Sequence, residues 1–219
     1  MSDESIQVVL ETTPKKAFAT AIDWPGWSRA GKTPELAMEA LAAYESRYRE
    51  AIRSAAARLP MDAVDRFEVI EQLDGNATTA FGAPGAIAEA DHKPTDRAAA
   101  TRLAEFLETA WATFDRTAKA APATLRKGPR GGGRDTPKIV DHVNAADHGY
   151  AGAVGIRISP PRSDDPAGVD ALRAAILDVV RTPSDGSPVH KTWTVRFLVR
   201  RSAWHALDHA WEIEDRSER

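Results

Sequence analysis

The spacing of apolar residues changes period once along this chain, and that change limits the fold more than any other feature. Before about residue 75 the pattern includes runs that alternate as strands do, whereas beyond about residue 95 it recurs at helical spacing. A chain divided in this way is expected to be α+β, with strands and a helix first and only helices after them. Between the two lies the turn-rich connector DGNATTAFGAPGAIAEADHKP, which reads as having little helical promise. A boundary within it separates an N-terminal unit, residues 1–88 with the connector, from a helical unit, residues 89–219.

In the first unit IQVVLET and AFATAID flank a Thr-Pro-Lys-Lys turn and predict a β-hairpin. Thr33 is placed to cap a helix with Pro34 at its first position and Glu35 in its first turn. The apolar positions Leu36, Ala37, Ala40, Leu41, Tyr44 and Tyr48 predict that this helix runs to about Leu59, where Pro60 ends it. RFEVIEQL is a further strand candidate.

The second unit predicts four helices. The first spans about Thr95 to Ala120, with Leu103, Phe106, Leu107, Ala110, Trp111 and Phe114 as its apolar stripe. After the basic loop RKGPRGGGRD, Asp135 or Thr136 caps a second helix that fades near Gly155. The third covers about Pro166 to Arg181, and the fourth starts near His190 or Lys191 and reaches about Asp215. Four amphipathic helices with connections of moderate length suggest an antiparallel four-helix bundle.

Composition excludes several functions. The chain has 42% hydrophobic and 28% charged residues and a formal net charge of -3, which argues against a disordered chain and against a broadly basic nucleic-acid binder. With no cysteine, thiolate metal sites, disulfides and a protein-borne thiol nucleophile are all absent. MSDESIQVV lacks the basic and apolar character of a signal segment, and no apolar run approaches the roughly 20 residues that span a bilayer, so a cytoplasmic protein is expected.

The chemistry is carried by histidines. His205 and His209, in WHALDHAWEIED, are four residues apart and so project from successive turns of one helix face. His142 lies in KIVDHVNAADHGY on the side marked by Ile139, Val143 and Ala146. If those helices are neighbours, three imidazoles meet, and three nitrogens plus a water form a catalytic metal site with an open position. A lone HxxxH pair without the Glu of HExxH also occurs on surfaces and in cores with no ion. His148, six residues after His142 and about 600° around the helix, belongs to solvent or to the surroundings of the site, and His92 and His190 to loops or helix ends.

KIVDHVNAADHGYAGAVG together with RRSAWHALDHAWEIEDR resembles the DinB-like (DinB/YfiT-like) family of four-helix bundles, over roughly residues 95 to 216. That family carries one metal-binding His on its second helix and an HxxxH pair on its last, where His142, His205 and His209 stand here. The resemblance implies a divalent metal, often nickel or zinc, and in several branches a transferase or isomerase activity that uses mycothiol, bacillithiol or glutathione. AFATAIDWPGWSRAGKTPELAMEALAAY looks like the small HicB-like fold of antitoxins, with Asp23, Pro25, Gly26, Gly31 and Thr33 at its D-x-P-G and G-x-T steps. Trp24 and Trp27 depart from that pattern; they read either as a ligand platform or as cover for a core or domain interface.

Asp208 and Glu212 each follow a histidine of the pair by three residues and are candidate catalytic groups, placed to hold an imidazole N–H or to bind substrate; the other reading is a solvated acidic face. Arg130 and Arg134, in a basic loop ahead of a helix N-terminus, could bind an anionic group of a cofactor, although glycine clusters ordinarily mark plain surface connectors. Together these readings predict a metal-dependent enzyme of the thiol-transferase or isomerase type that activates a low-molecular-weight thiol or water. Its partner would be a small-molecule substrate, with no membrane, no nucleic acid, and a homodimer as the candidate assembly. The competing reading is a non-catalytic ligand sensor or interaction protein.

Overall fold

The computed structural model of the chain describes residues 5–128, 132–162 and 164–217. It is a mixed α/β structure in which a four-stranded sheet is followed by helices. Strands β1 (Ile6–Thr13) and β2 (Lys16–Ala21) form the expected hairpin, paired from Thr13 with Lys16 to Val8 with Ala21. β3 (Ser28–Gly31) adds antiparallel to β2, and β4 (Phe67–Asp74) lies parallel to β1, giving the order β3-β2-β1-β4. The parallel pairing requires a crossover, and the helical segment between β3 and β4 provides it.

Both faces of the central strands are covered. Alternation sends Val8, Leu10, Ala17, Ala19 and Ala21 into the main core, while Val9, Phe18 and Ile22 point to the opposite face and meet Ala83, Ala88, Ala90 and Trp204. Gly26 joins β2 to β3 with φ +98, and a Cβ there would stand 2.7 Å from the side chain of Leu207. Gly31 is equally constrained by space, since a Cβ would fall 2.3 Å from the backbone nitrogen of Ala37. Trp24 and Trp27 are core residues: the Trp27 indole donates to the carbonyl of Leu41 at 2.9 Å and stacks on Tyr48, and Trp24 meets the edge of Phe106.

Three expectations need correction. The single helix from Pro34 to about Leu59 is broken into α1 (Pro34–Ala43) and α2 (Glu45–Ala51). Tyr44 leaves helical geometry (φ -92, ψ 3) with its ring against Trp211, and Arg49 donates to the carbonyls of Leu59 and Pro60, so residues 52–59 turn back instead of continuing the helix. The connector is more ordered than its composition suggests. Asn76 and Thr79 form a reciprocal capping box that starts the short α3 (Ala77–Phe81), and a 3-10 turn follows at Glu89–His92.

The third correction concerns the last helix. α4 (Arg97–Ala120), α5 (Thr136–Ala153) and α6 (Pro166–Val180) lie close to their expected bounds, but α7 (Val195–Ser217) starts after His190 and Lys191. Lys191 has φ 52, the chain makes a turn from His190 to Trp193, and the Thr194 hydroxyl accepts from the backbone of Phe197 and caps the helix there. Among the described residues no strand occurs after β4.

α7 is the axis of the molecule. It packs on α4, α5 and α6, and 15 of its 23 residues are buried, too many for a helix with one solvated face. Arg200 from α7 pairs with Asp91 at 2.6 Å and reaches the carbonyl of Ala86, which ties the connector to this axis. One hydrophobic core runs without interruption from Val8 and Trp27 through Leu107 and Phe114 to Leu198 and Leu207. No helix among the described residues is long and apolar enough to cross a membrane.

Candidate metal centre

α5 and α7 run past each other so that the His142 end of α5 meets the His209 end of α7, and Tyr150 lies beside His205 and Arg201 farther along. Pro137 in the first turn of α5 fixes its entry, while the carboxylate of Asp135 accepts from the Leu125 backbone and from Lys127 instead of capping the helix. This crossing brings the three histidines together. His142 and His205 place their Nε2 atoms 3.2 Å apart, and one ligand nitrogen from each of the three rings lies within 4.8 Å of the others.

Those separations suit one ion. Two nitrogens each about 2.1 Å from a metal at a tetrahedral angle stand roughly 3.4 Å apart. The ring centroids are 4.6 to 5.0 Å apart and the rings are steeply inclined, so they converge edge-on instead of stacking. His205 and His209 are buried and His142 is partly buried.

Burial also sets the protonation state. It lowers the pKa of His142, and the positive charge of Arg134, like any proton taken up by His209, acts in the same direction. Burial pushes His205 well below the usual imidazole range, with His209, Arg201 and His142 acting in the same direction. Neutral imidazoles expose the lone pairs that a metal needs.

Glu212 completes the surroundings. Its carboxylate accepts from His209 Nδ1 at 2.8 Å, and that hydrogen bond is the main cause of its lowered pKa. Arg216 donates to its other oxygen at 2.5 Å and to the carbonyl of Arg126, tying the carboxylate to the loop before α5. Asp208 is directed elsewhere: it pairs with Arg29 of β3 at 2.7 Å, and that guanidinium also lies over the ring of Tyr44. Arg134 is exposed just ahead of α5, where its charge reaches His142 and His205; Arg130 lies outside the described residues.

The remaining histidines stand apart. His148 Nε2 is 2.9 Å from the carbonyl of Ile158 and tethers the chain after α5, while His92 and His190 are exposed at a 3-10 turn and a loop. Tyr150, Arg201 and Trp204 surround His205 and were missed by attention to metal-ligating residue types. Continuing the helical stripe from His142 by eight residues and from His205 back by four would have found the first two. Comparison with family models, curated proteins and solved structures finds no match to the chain.

Proposed function

We propose that the chain is a metal-dependent enzyme in which His142, His205 and His209 hold one divalent ion with a coordination position left for a ligand. The convergence of three imidazole nitrogens within 4.8 Å carries this reading. In line with the resemblance to DinB-like four-helix bundles, the ion is nickel or zinc and the reaction a thiol transfer or isomerisation in the cytoplasm. When bound, the ion supplies Lewis acidity toward a thiol or water. Because the chain has no cysteine, the thiol comes from a low-molecular-weight cofactor.

The chain's own groups have distinct tasks. Burial keeps His142 and His205 neutral, and Glu212 fixes the His209 tautomer that leaves Nε2 free. Arg134 adds positive charge near the centre and favours an anionic ligand. The test is metal content and thiol chemistry of the purified protein after incubation with nickel or zinc. About one ion per chain and metal-dependent consumption of a thiol with an electrophile are expected; a chain that takes up neither metal contradicts the reading.

A non-catalytic metal sensor is favoured by one observation. Asp208 lies between the two histidines in the sequence of α7 and is tied to Arg29, so the histidine pair and a contact to the sheet are carried by one turn of the same helix. Metal uptake without any thiol or hydrolytic turnover would select that reading.

A further inference from the structure

Arg200 and Arg201 are adjacent in α7 and have opposite surroundings. Arg200 is fully enclosed and satisfied by Asp91 and the Ala86 carbonyl. Arg201 has no hydrogen bond or ion pair among the described residues, although its Nη1 is sealed from solvent. Its guanidinium lies 5.4 Å from the centroid of the Tyr150 ring and 4.8 Å from that of Trp204.

Aromatic stacking satisfies the face of a guanidinium but none of its in-plane N–H donors. An enclosed cationic donor without an acceptor is costly, and proteins ordinarily pair such a group. Both carboxylates whose charge reaches Arg201 are otherwise engaged: Glu11 by the Thr79 hydroxyl and the Gly85 backbone, Asp208 by Arg29. Its other nitrogens lack partners too but keep contact with solvent, so the group is open along one edge. That edge presents the Nε–H and an Nη2–H side by side as one fork, the arrangement that matches a carboxylate.

Position gives this fork a use. Arg201 precedes His205 by four residues, about 6 Å along the helix, and Tyr150 bridges the two, its ring centroid 5.9 Å from that of His205. We propose that Arg201 binds the carboxylate of the small molecule that reaches the histidine centre, so the ligand class is a short carboxylic acid with a thiol a few bonds from its carboxylate. The thiol arm rests on the metal reading above; the carboxylate arm rests on Arg201 alone.

The probe pair is 3-mercaptopropionate and its methyl ester, titrated calorimetrically into the full chain with and without zinc. Wild type is expected to bind the acid about tenfold or more tightly than the ester, the size of one charge-assisted hydrogen-bond pair. Arg201→Gln should bring the acid to the level of the ester while zinc content stays unchanged. Equal binding of acid and ester by wild type, no binding of the acid, or a preference that survives in Arg201→Gln overturns the proposal. If wild type takes up no zinc, the histidine reading fails by itself, and an acid preference in the metal-free protein that Arg201→Gln removes still supports the carboxylate site. Should Arg201→Gln not fold, Arg201→Lys decides: it keeps the charge but loses the fork, so the acid should bind at least about threefold more weakly, and unchanged binding contradicts the assignment.

Discussion

His209 donates its Nδ1 proton to Glu212, 2.8 Å away and one turn further along α7. An ionised carboxylate can only accept, so this bond places the ring's proton on Nδ1 and leaves Nε2 as the nitrogen with a free lone pair. Glu212 is itself held by Arg216, which is anchored to the Arg126 carbonyl. The nitrogen that His209 offers to an ion is therefore oriented by a chain of contacts reaching the loop before α5.

Removing that support should weaken the metal more than the fold. Glu212→Ala is expected to lower zinc affinity about 10- to 100-fold, the usual effect of losing a carboxylate behind a ligating histidine. Competition with a chromophoric chelator measures it. An affinity equal to wild type would mean that His209 needs no orienting partner.

His209→Ala goes further and should abolish metal loading, because two neutral nitrogens hold a divalent ion poorly. The protein should remain folded, since α7 is stabilised chiefly by buried apolar residues such as Leu198, Leu207, Trp211 and Ile213. Metal analysis beside circular dichroism separates the two effects, and a variant that retains one ion per chain would remove His209 from the ligand set.

Much of this centre was legible in the sequence because its signal is local and periodic. Spacing alone puts His205 and His209 on one face, and the apolar stripe around Ile139 and Val143 puts His142 toward a neighbouring helix. What was not legible depends on contacts distant in sequence. β3 is four residues long and is held by pairing with β2, and α3 forms because Asn76 and Thr79 cap each other within a turn-rich stretch. The break at Tyr44 sits in a continuous helical pattern and coincides with packing against Trp211, 167 residues away. Asp208 looked like a partner for the site, but nothing local shows that Arg29 of a strand would meet it.

A buried carboxylate away from the histidines gives a pH-dependent expectation. Asp147 of α5 faces Trp111 and Arg173, yet neither oxygen has a hydrogen bond, because Arg173 is committed to Asp115 at 2.6 and 3.1 Å and keeps its Nε 3.8 Å from Asp147. Burial pushes this carboxyl up to about 7. Unfolded, it titrates near 3.9, so between about pH 4 and 7 the folded chain holds the extra proton and the contribution of Asp147 to stability falls as pH rises. Asp147→Asn should match wild type near pH 4 and exceed it by about 1–4 kcal/mol at pH 8, the upper figure following from about 1.4 kcal/mol per pKa unit. Denaturant unfolding of both proteins at the two pH values checks this, and a variant less stable than wild type at pH 8 would contradict the raised pKa of Asp147.

The last expectation concerns how far the sheet and the helices depend on each other. Trp27 is fully buried, stacks on Tyr48, meets Phe67 and donates to the Leu41 carbonyl, while its neighbour Gly26 turns against Leu207 of the helix that carries His205 and His209. Because that core continues into α4 and α7, a cavity made at Trp27 should destabilise the helices as well as the sheet. Trp27→Ala is expected to cost about 3–5 kcal/mol, the range for removing a large buried aromatic. It should also leave one cooperative transition, with sheet and helices lost together. Thermal unfolding followed by far-ultraviolet circular dichroism and by the fluorescence of the remaining tryptophans, including Trp111 and Trp204 on the helices, tests both parts. Coincident curves at a lower midpoint support one cooperative unit, whereas a separate early transition that spares the helical signal would show that the N-terminal sheet unfolds on its own.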